Sequence, residues 1–292
     1  MGYSVEIFGI SFELNPIAFT LPLGENGWNI YWYGIIIAVG FLLAILYGTA
    51  NAERLGVNKD KVLDVVLIVT PIAILCARTY YVLFDGVKCQ SIADFFGFGK
   101  SSGFSGIAIY GGVIGAFISG AIVCKLYKIK ITNMFDLAAL GFLIGQGIGR
   151  WGNFVNQEAY GSFTGSNWWG MQSDKTIAQV GEGLVHPCFL YESIWCLLGF
   201  IIIHKLSKKR RFSGEVFLMY CAWYGFGRGF IEILRTDSLM WGAIKVSCLL
   251  GFLACAASVT AIVLIRKKVK DSESEYAAVF SENMENENDE NN

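Results

Sequence analysis

Polar side chains that could bind an anion stand together at the end of an apolar stretch, in the segment GQGIGRWGNFVNQEAYG at residues 145–161. Arg150, Asn153 and Gln157 are spaced by three and four residues, so a helix would place them on one face. Glu158 would lie about 80° around the same helix. If helical, the segment would therefore present a guanidinium group, two amides and a carboxylate to one cavity.

A second group of charged residues occurs in the segment GFGRGFIEILRTD at residues 225–237. Arg228, Glu232 and Arg235 are separated by four and three residues, which would place them on one helix face. One of the arginines can pair with Glu232, so this face keeps a net positive charge. Guanidinium groups present N–H donors in a fixed fork that matches the oxygens of a phosphate or a carboxylate.

Three arginines, Arg78, Arg150 and Arg228, lie inside apolar stretches where a membrane helix is expected. An arginine at the centre of such a helix costs about 2.5–3.5 kcal/mol even on the lenient insertion scale. Three of them would cost roughly 8–10 kcal/mol, which is comparable with the stability of a whole protein. We therefore expect these side chains to face the protein interior and to contact anionic partners.

The composition of the 292-residue chain is typical of a protein embedded in a bilayer. Hydrophobic residues make up 54% of the chain, charged residues only 16%, and the mean hydropathy is +0.49, whereas soluble domains carry about 25% charged residues. The basic residues lie in short loops between apolar runs, which argues against a nucleic-acid-binding face. The eight cysteines show no CxxC spacing, which favours buried thiols over a metal site.

Seven apolar runs predict seven transmembrane helices, since about 20 apolar residues are needed to cross the hydrocarbon core of a bilayer. The chain is therefore predicted to be an all-α integral membrane protein. The predicted spans are residues 29–50, 62–84, 106–125, 136–155, 187–204, 215–234 and 243–265.

The distribution of basic residues between successive loops predicts the orientation of the chain. Alternate segments are rich in Lys and Arg, and the positive-inside rule places such segments in the cytoplasm. The N-terminus is then outside and the C-terminus is cytoplasmic, which requires an odd number of spans. The basic segments are residues 51–61, 125–135, 205–211 and 266–270, with three, three, five and four Lys or Arg residues.

The same reasoning divides the chain into three parts. Residues 1–28 form an extracytoplasmic N-terminal segment, residues 29–265 form the transmembrane domain, and residues 266–292 are cytoplasmic. The last part begins with the basic segment 266–270, which marks the cytoplasmic end of the last span. It ends in residues 271–292, which contain eight acidic residues and no basic residue. We expect this acidic tail to be disordered, because it cannot bury enough apolar surface to order itself.

Three interpretations of the charged clusters compete. The side chains could form buried ion pairs that hold helices in register, line a transport path for an anion, or bind a lipid phosphate in an enzyme site. A transport path would need polar residues in both halves of the spans, whereas these residues fall in the outer halves or in the adjoining loops. This distribution favours an enzyme site reached from the outer leaflet. The residues are Arg150, Glu158, His186, Tyr191, Glu192, Arg228, Glu232 and Arg235.

The segment GRWGNFVNQEAYG (149–161) resembles the signature G-R-x-[GA]-N-F-x-N-x-E-x-x-G of the prolipoprotein diacylglyceryl transferases, a family of bacterial membrane enzymes. All eight fixed positions of this signature match. Further motifs of the family appear in the same order along the chain, so the resemblance covers residues 10–265 approximately. These motifs are NPIAF (15–19), WYG (32–34), ARTYYVLF (77–84), YGGVIG (110–115), HPCFLYES (186–193) and GRGFIEILRTD (227–237).

The resemblance implies a reaction, two substrates and a location. Enzymes of this family transfer the sn-1,2-diacylglyceryl group of phosphatidylglycerol to the thiol of the lipobox cysteine of a prolipoprotein. A thioether forms and glycerol 1-phosphate is released, as the first step of bacterial lipoprotein maturation. The family is located in the cytoplasmic (inner) membrane with its active site towards the outer leaflet, and it uses no metal and no diffusible cofactor.

The resemblance also implies roles for the charged clusters. Negative charge builds on the departing phosphate during this reaction, and we expect Arg150 and Arg228 to stabilise it. Glu232 is expected to position Arg228. Tyr33 is either a hydrogen-bond partner of the lipid headgroup or an aromatic residue at the membrane interface. The residues expected to bind phosphatidylglycerol are Arg150, Asn153, Glu158, Gly161, Tyr33 and Arg235.

Position 110 departs from a common pattern of the family. Many members carry a histidine where this chain has Tyr110, and that histidine is often proposed as the base that deprotonates the substrate thiol. Tyrosine ordinarily titrates near pH 10, so its neutral side chain is a poor proton acceptor. Either Tyr110 donates a hydrogen bond, or the thiol is activated by the positive site, with Glu158, Glu232 or water taking the proton. His186 is expected to shape the start of the fifth span together with Pro187.

Overall fold

The computed structural model describes residues 2–22, 27–84, 95, 108–236, 238, 240–242 and 244–290, with the backbone alone at Tyr3 and over residues 273–290. Helices make up most of this part of the chain. They are α1 (Trp32–Asn51), α2 (Lys59–Phe84), α3 (Ile109–Leu126), α4 (Ile131–Asn156), α5 (Asp174–Val180), α6 (Cys188–Ser207), α7 (Glu215–Leu234) and α8 (Val246–Glu290).

Six helices of the described chain are long and apolar enough to cross a membrane, which confirms the prediction of a mostly helical membrane protein. They are α1, α2, α3, α4, α6 and the Val246–Ser272 part of α8. The helix α7 is not among them, because Arg228 and Glu232 lower the hydropathy of an otherwise apolar helix. The seventh span and the orientation of the termini stay predictions.

The predicted spans agree with the observed helices to within five residues at each boundary, except at the end of the last span. That span is predicted to end at residue 265, whereas α8 continues as one helix to Glu290. The division into three parts and the disorder expected for residues 271–292 stay predictions.

The all-α prediction is incomplete, because short strands accompany the helices. A hairpin of β1 (Tyr3–Ile7) and β2 (Ile10–Leu14) pairs with β5 (Met171–Ser173) in the order β2-β1-β5. Phe8 and Gly9 form its turn with φ angles of 51° and 78°, the left-handed conformation that suits a two-residue hairpin. The other strands also form hairpins, β3 (Ile17–Leu21) with β4 (Trp28–Tyr31) and β6 (Met240–Trp241) with β7 (Ile244–Lys245).

The chain divides into two compact units, the smaller of residues 45–137 and the larger of residues 1–44 and 138–292. In the smaller unit, α2 packs closely on α3 at Gly115, where an added β-carbon would lie 2.5 Å from the Cβ of Cys76. Only glycine allows two helix backbones to approach so closely, and small residues serve this purpose in membrane helices.

In the larger unit, contacts between α4 and α6 hold the polar ends of these helices together. Ser193 Oγ donates to the carbonyl oxygen of Gly147 at 2.7 Å and accepts from Trp151 Nε1 at 3.2 Å. The ring of Phe154 stacks on that of Phe189 with centroids 4.6 Å apart. These aromatic rings belong to a hydrophobic cluster that joins the helices to the strands and includes Val5, Tyr160, Met171 and Val185.

The opposite end of α7 is held to α8 by an ion pair. Glu215 is fully buried, and its carboxylate lies 2.5 Å from Arg266 Nε and accepts the backbone N–H of Arg211 at 2.5 Å. Farther along, α7 and α8 approach closely at Gly225 and Gly251, where an added β-carbon would meet the backbone of the other helix. The helix α7 is therefore held to α8 at two points before it reaches Arg228.

Candidate active site

Arg150 lies in the last two turns of α4, and its guanidinium group contacts two other side chains. Its Nη2 lies 2.5 Å from Glu192 Oε2, and its Nη1 donates to Asn153 Oδ1 at 3.3 Å. Asn153 Nδ2 in turn donates to Glu158 Oε1 at 2.9 Å. The amide of Asn153 therefore connects the guanidinium group of Arg150 to the carboxylate of Glu158.

The prediction that Gln157 shares this helix face is wrong. The helix α4 ends at Asn156, and Gln157 adopts a left-handed conformation with a φ of 51°. Its side chain is fully buried and donates to the carbonyl oxygen of Phe154. Gln157 therefore closes the end of the helix, and the carboxylate of Glu158 reaches the cluster from beyond the helix.

Glu192, in the first turns of α6, is the carboxylate around which the arginines gather. Its side chain is only 4% exposed. Besides Arg150, it contacts Arg228 Nη1, which donates to Oε1 at 2.7 Å, and Arg235 Nη1, at 3.5 Å from the same oxygen. One buried carboxylate thus joins α4, α6 and the end of α7.

Glu232 is the second buried carboxylate of the cluster. Arg228 and Glu232 are one turn apart on α7, with Nη2 and Oε2 2.5 Å apart. Arg235 follows the helix with an extended backbone, and its Nε lies 3.9 Å from the same oxygen of Glu232. The arginine that pairs closely with Glu232 is therefore Arg228.

The cluster of three arginines and two glutamates keeps a formal charge of +1. The oxygens Glu192 Oε2 and Glu232 Oε2 lie at ion-pair distance from Arg150 and Arg228, but neither receives a hydrogen bond with good alignment. The surplus positive charge of the cluster attracts a further anion. The cluster can therefore bind an additional anionic group.

Lys245, at the end of β7, fixes the end of α7 that carries Glu232. Its Nζ donates to the carbonyl oxygens of Glu232, Ile233 and Arg235 at 2.9, 3.0 and 2.5 Å. The last carbonyls of a helix lack intrahelical partners, and a cation there also interacts favourably with the helix dipole. Lys245 thereby holds the chain where Arg235 turns back towards the cluster.

Gly161 supports the cluster through backbone packing. Its N–H donates to the carbonyl oxygen of His186 at 2.9 Å. Gly161 also forms an isolated antiparallel β-bridge with Arg235. An added β-carbon would lie 2.7 Å from His186 Cβ and 2.9 Å from Cys188 Sγ. Glycine is required here because the segments before α6 and after α7 pass on either side of it. The predicted contact of Gly161 with phosphatidylglycerol stays a prediction.

We expect Gly161→Ala to lower the free energy of unfolding of the protein by about 1–3 kcal/mol, the usual cost of overpacking a close-packed site. The measurement is thermal or denaturant unfolding of the purified protein in detergent. Gly120→Ala is the matched control, because nothing lies within 4 Å of a β-carbon added at Gly120. Equal stabilities of the two variants would contradict the packing role.

Tyr33, in the first turn of α1, lies beside the Arg150 segment. A β-carbon at Gly152 would lie 2.6 Å from Tyr33 Cδ2, so the ring covers the helix α4 one half-turn beyond Arg150. The structure thus places Tyr33 beside the segment of Arg150, with which the resemblance assigns it to the phosphatidylglycerol site.

Tyr110 and Arg78 lie in the smaller unit. Tyr110 is in the first turn of α3 with its side chain 49% exposed. Arg78 is buried within α2, where its Nε donates to the carbonyl oxygen of Phe95 at 2.7 Å and its guanidinium group lies 5.4 Å from the ring centre of Tyr81. The function of Tyr110 stays a prediction.

His186 precedes α6, where Pro187 is the N-cap residue. Its Nδ1 is 3.2 Å from the hydroxyl oxygen of Tyr191, which also accepts a hydrogen bond from Trp169 Nε1 at 2.8 Å. Partial burial lowers the pKa of the His186 imidazole, so it is neutral at physiological pH. These contacts agree with the structural role expected for His186 and Pro187. Over the described residues, no group of three or more His, Cys, Asp or Glu side chains could hold a metal ion.

An apolar groove of 320 Å³ runs between the N-terminal half of α6 and the C-terminal half of α7, beside the turn that carries Arg228. Its surface is formed by aromatic and aliphatic side chains, so it suits hydrocarbon better than a charged group. The lining residues are Tyr191, Trp195, Phe226, Gly227, Phe230, Ile231 and Leu234.

Glu192 is the site residue to which sequence analysis assigns no role, although it holds the central position. Its segment, HPCFLYES, is one of the family motifs, and an acidic residue inside an apolar run is itself a signal of function. Arg150 comes from α4, and Arg228 and Arg235 come from α7 and its end, so the central position of Glu192 becomes visible only when α4, α6 and α7 are packed together.

Comparisons with known proteins cover all the helices that build this cluster. The profile of the family described as prolipoprotein diacylglyceryl transferase matches residues 16–264. A phosphatidylglycerol--prolipoprotein diacylglyceryl transferase of Clostridioides difficile is 38% identical over 263 residues, which cover 90% of this chain and 100% of that protein. Proteins of the same name from Bacillus cytotoxicus and Bacillus cereus are 40% and 41% identical, over 85% of this chain and 92% of each relative.

Proposed function

The chain belongs to the prolipoprotein diacylglyceryl transferase family, and we propose that Arg150, Arg228 and Glu192 form its active site. The protein is a transferase that moves the diacylglyceryl group of phosphatidylglycerol to prolipoproteins, the first step of lipoprotein maturation. The acceptor atom in our proposal is the thiol sulfur of the lipobox cysteine. The observation that carries this assignment is the set of three guanidinium groups around the buried carboxylate of Glu192.

The proposed step is a displacement at carbon. The substrate sulfur, as a thiolate, attacks the carbon of the diacylglyceryl group that carries the phosphate. A C–S bond forms there, and the C–O bond between that carbon and the phosphate breaks. The electron pair of that bond goes to the phosphate oxygen, so glycerol 1-phosphate leaves, and the thiol proton goes to a base. Negative charge therefore moves from sulfur to phosphate oxygen in the transition state.

Arg150 and Arg228 are placed to stabilise this developing charge. Fixed donors in a low-dielectric site stabilise a transition state more than mobile water does, because they need no reorganisation during the reaction. Glu192 and Glu232 hold the two guanidinium groups in place before the lipid arrives. In the proposal, Asn153 and Glu158 bind the glycerol hydroxyl groups of phosphatidylglycerol, and Arg235 and Tyr33 complete the headgroup site.

The position of these residues within their helices supports a site at the outer leaflet. Arg150 and Glu232 are near the C-terminal ends of α4 and α7, and Glu192 is near the N-terminal end of α6. With the orientation that the basic loops favour, all three ends face outside. We propose that α7 also spans the membrane, which brings the number of spans to seven, and that its charges are tolerated because they face this site. We also propose that the enzyme resides in the bacterial cytoplasmic membrane.

The role of Tyr110 is open to a direct test by substitution. If this position handles protons or donates a hydrogen bond, Tyr110→Phe should lower the transfer rate by roughly the five- to tenfold of a lost hydrogen bond, while Tyr110→His should retain activity. The rate of transfer to a lipobox peptide is measured for both purified variants. Parental rates in both would show that Tyr110 only packs.

The function itself is tested with purified protein, phosphatidylglycerol and a synthetic lipobox peptide. We expect the peptide to gain the mass of one diacylglyceryl group and glycerol 1-phosphate to appear in equal amount. A matched peptide with serine in place of the lipobox cysteine should keep its mass. An unmodified cysteine peptide would overturn the proposal, and a modified serine peptide would show that sulfur is not the acceptor.

A further inference from the structure

Two tryptophans of neighbouring helices form a reciprocal pair. Trp195 of α6 donates its Nε1–H to the carbonyl oxygen of Trp223 at 2.9 Å, and Trp223 of α7 donates its Nε1–H to the carbonyl oxygen of Trp195, also at 2.9 Å. The indole rings stack with centroids 4.3 Å apart and an interplanar angle of 16°. Because both acceptors are main-chain carbonyls, the pair connects the backbones of the two helices.

Each indole also lies on a glycine of the other helix. The pattern Trp-x-x-x-Gly occurs in both helices, as Trp195 with Gly199 and as Trp223 with Gly227. A β-carbon added at Gly199 would overlap the indole of Trp223, and one added at Gly227 would overlap the indole of Trp195. We call these four residues the tryptophan clamp. If either helix slid along its axis, both hydrogen bonds would break. Each indole would also leave its glycine and meet a residue with a larger side chain.

The clamp adjoins the residues of the active site on both helices. Glu192 precedes Trp195 by three residues, about one turn of α6, and Arg228 directly follows Gly227 on α7. The hydrogen bond from Arg228 to Glu192, at 2.7 Å, crosses the same pair of helices. One residue of a helix rises about 1.5 Å and turns about 100°, so a slip of a single residue would change the length and the alignment of this contact.

We propose that the tryptophan clamp is a positioning element of the transfer reaction, which keeps Glu192 in register with Arg228. Glu192 also contacts Arg150, so the register of α6 sets the position of both guanidinium groups. A displacement of about 1 Å at a catalytic group can reduce a rate a hundredfold, even when the change is remote from the chemistry. This inference rests on the proposed function of the arginine cluster.

The test uses Trp195→Phe and Trp223→Phe, which keep an aromatic ring but remove the N–H donor. Transfer of the diacylglyceryl group to a lipobox peptide gives kcat and the KM for phosphatidylglycerol, and thermal unfolding gives Tm. We expect kcat to fall about five- to tenfold, the factor that corresponds to one neutral hydrogen bond, with KM nearly unchanged.

Trp241→Phe is the matched control, because Trp241 lies outside the clamp and is 74% exposed. It should keep the parental kcat, KM and Tm. Clamp variants with the parental kcat, or with a lower Tm as their only change, would overturn the positioning role. A parental enzyme that transfers nothing would instead overturn the proposed function, so the two failures are distinguishable.

Discussion

Arg150→Ala is expected to lower diacylglyceryl transfer by about a thousandfold, the upper range for removing one donor that faces a developing negative charge. The substitution removes a cation from the cluster, and it also breaks the link through Asn153 to Glu158. The first effect weakens binding of the departing phosphate, and the second loosens the residues proposed to bind the glycerol hydroxyl groups. The rate is measured from the mass of a lipobox peptide incubated with phosphatidylglycerol and the purified variant.

Arg54→Ala is the matched control for this prediction. Arg54 is exposed in the one-turn 3-10 helix (Glu53–Leu55) between α1 and α2, where it contacts Asn51. This variant should transfer at the parental rate, and both variants should be recovered from the membrane in parental amounts. A near-parental rate for Arg150→Ala at equal protein recovery would refute the assigned role of Arg150.

Glu192→Gln is expected to lower both the stability of the protein and its activity. The neutral amide leaves the cationic groups of Arg150 and Arg228 without the carboxylate they share. Breaking a buried ion pair by removing one partner costs about 3–5 kcal/mol, since the other charge stays buried. Thermal unfolding in detergent measures the loss of stability, and the peptide assay measures transfer.

Added glycerol 1-phosphate should raise the Tm of the Glu192→Gln variant more than that of the parent, because the variant site is more positive. Glu182→Gln is the control, since Glu182 is exposed in the loop before α6. It should match the parent in stability and in transfer. A Glu192→Gln variant with parental Tm would show that the carboxylate does not compensate the arginines.

The helices could be predicted from the sequence because a membrane span requires a long apolar run, and such runs are easily recognised. The charged residues were equally visible, since Arg150 and Arg228 stand out against their apolar neighbours. Their spacing within one helix also predicted that Arg150 and Asn153 share a helix face and that one arginine pairs with Glu232, and the structure shows a contact in each case. Local periodicity was sufficient for these features.

Contacts that depend on packing between distant segments could not be predicted in this way. The position of Glu192 between three arginines requires α4, α6 and α7 to meet, and the tryptophan clamp requires a particular register of two helices. The left-handed residue Gln157, which ends α4, has no signal in the apolar pattern. The short strands were missed because strand preference depends strongly on context.

The sharing of two carboxylates among three arginines has a consequence for turnover. A lipid phosphodiester carries one negative charge and matches the surplus of +1, so its phosphate competes with the two carboxylates for the same guanidinium groups. The liberated phosphomonoester carries about −1.5 to −2 at neutral pH, so the same groups hold it more tightly than they held the lipid. We therefore expect glycerol 1-phosphate to compete with phosphatidylglycerol for the arginines, so that added product inhibits transfer.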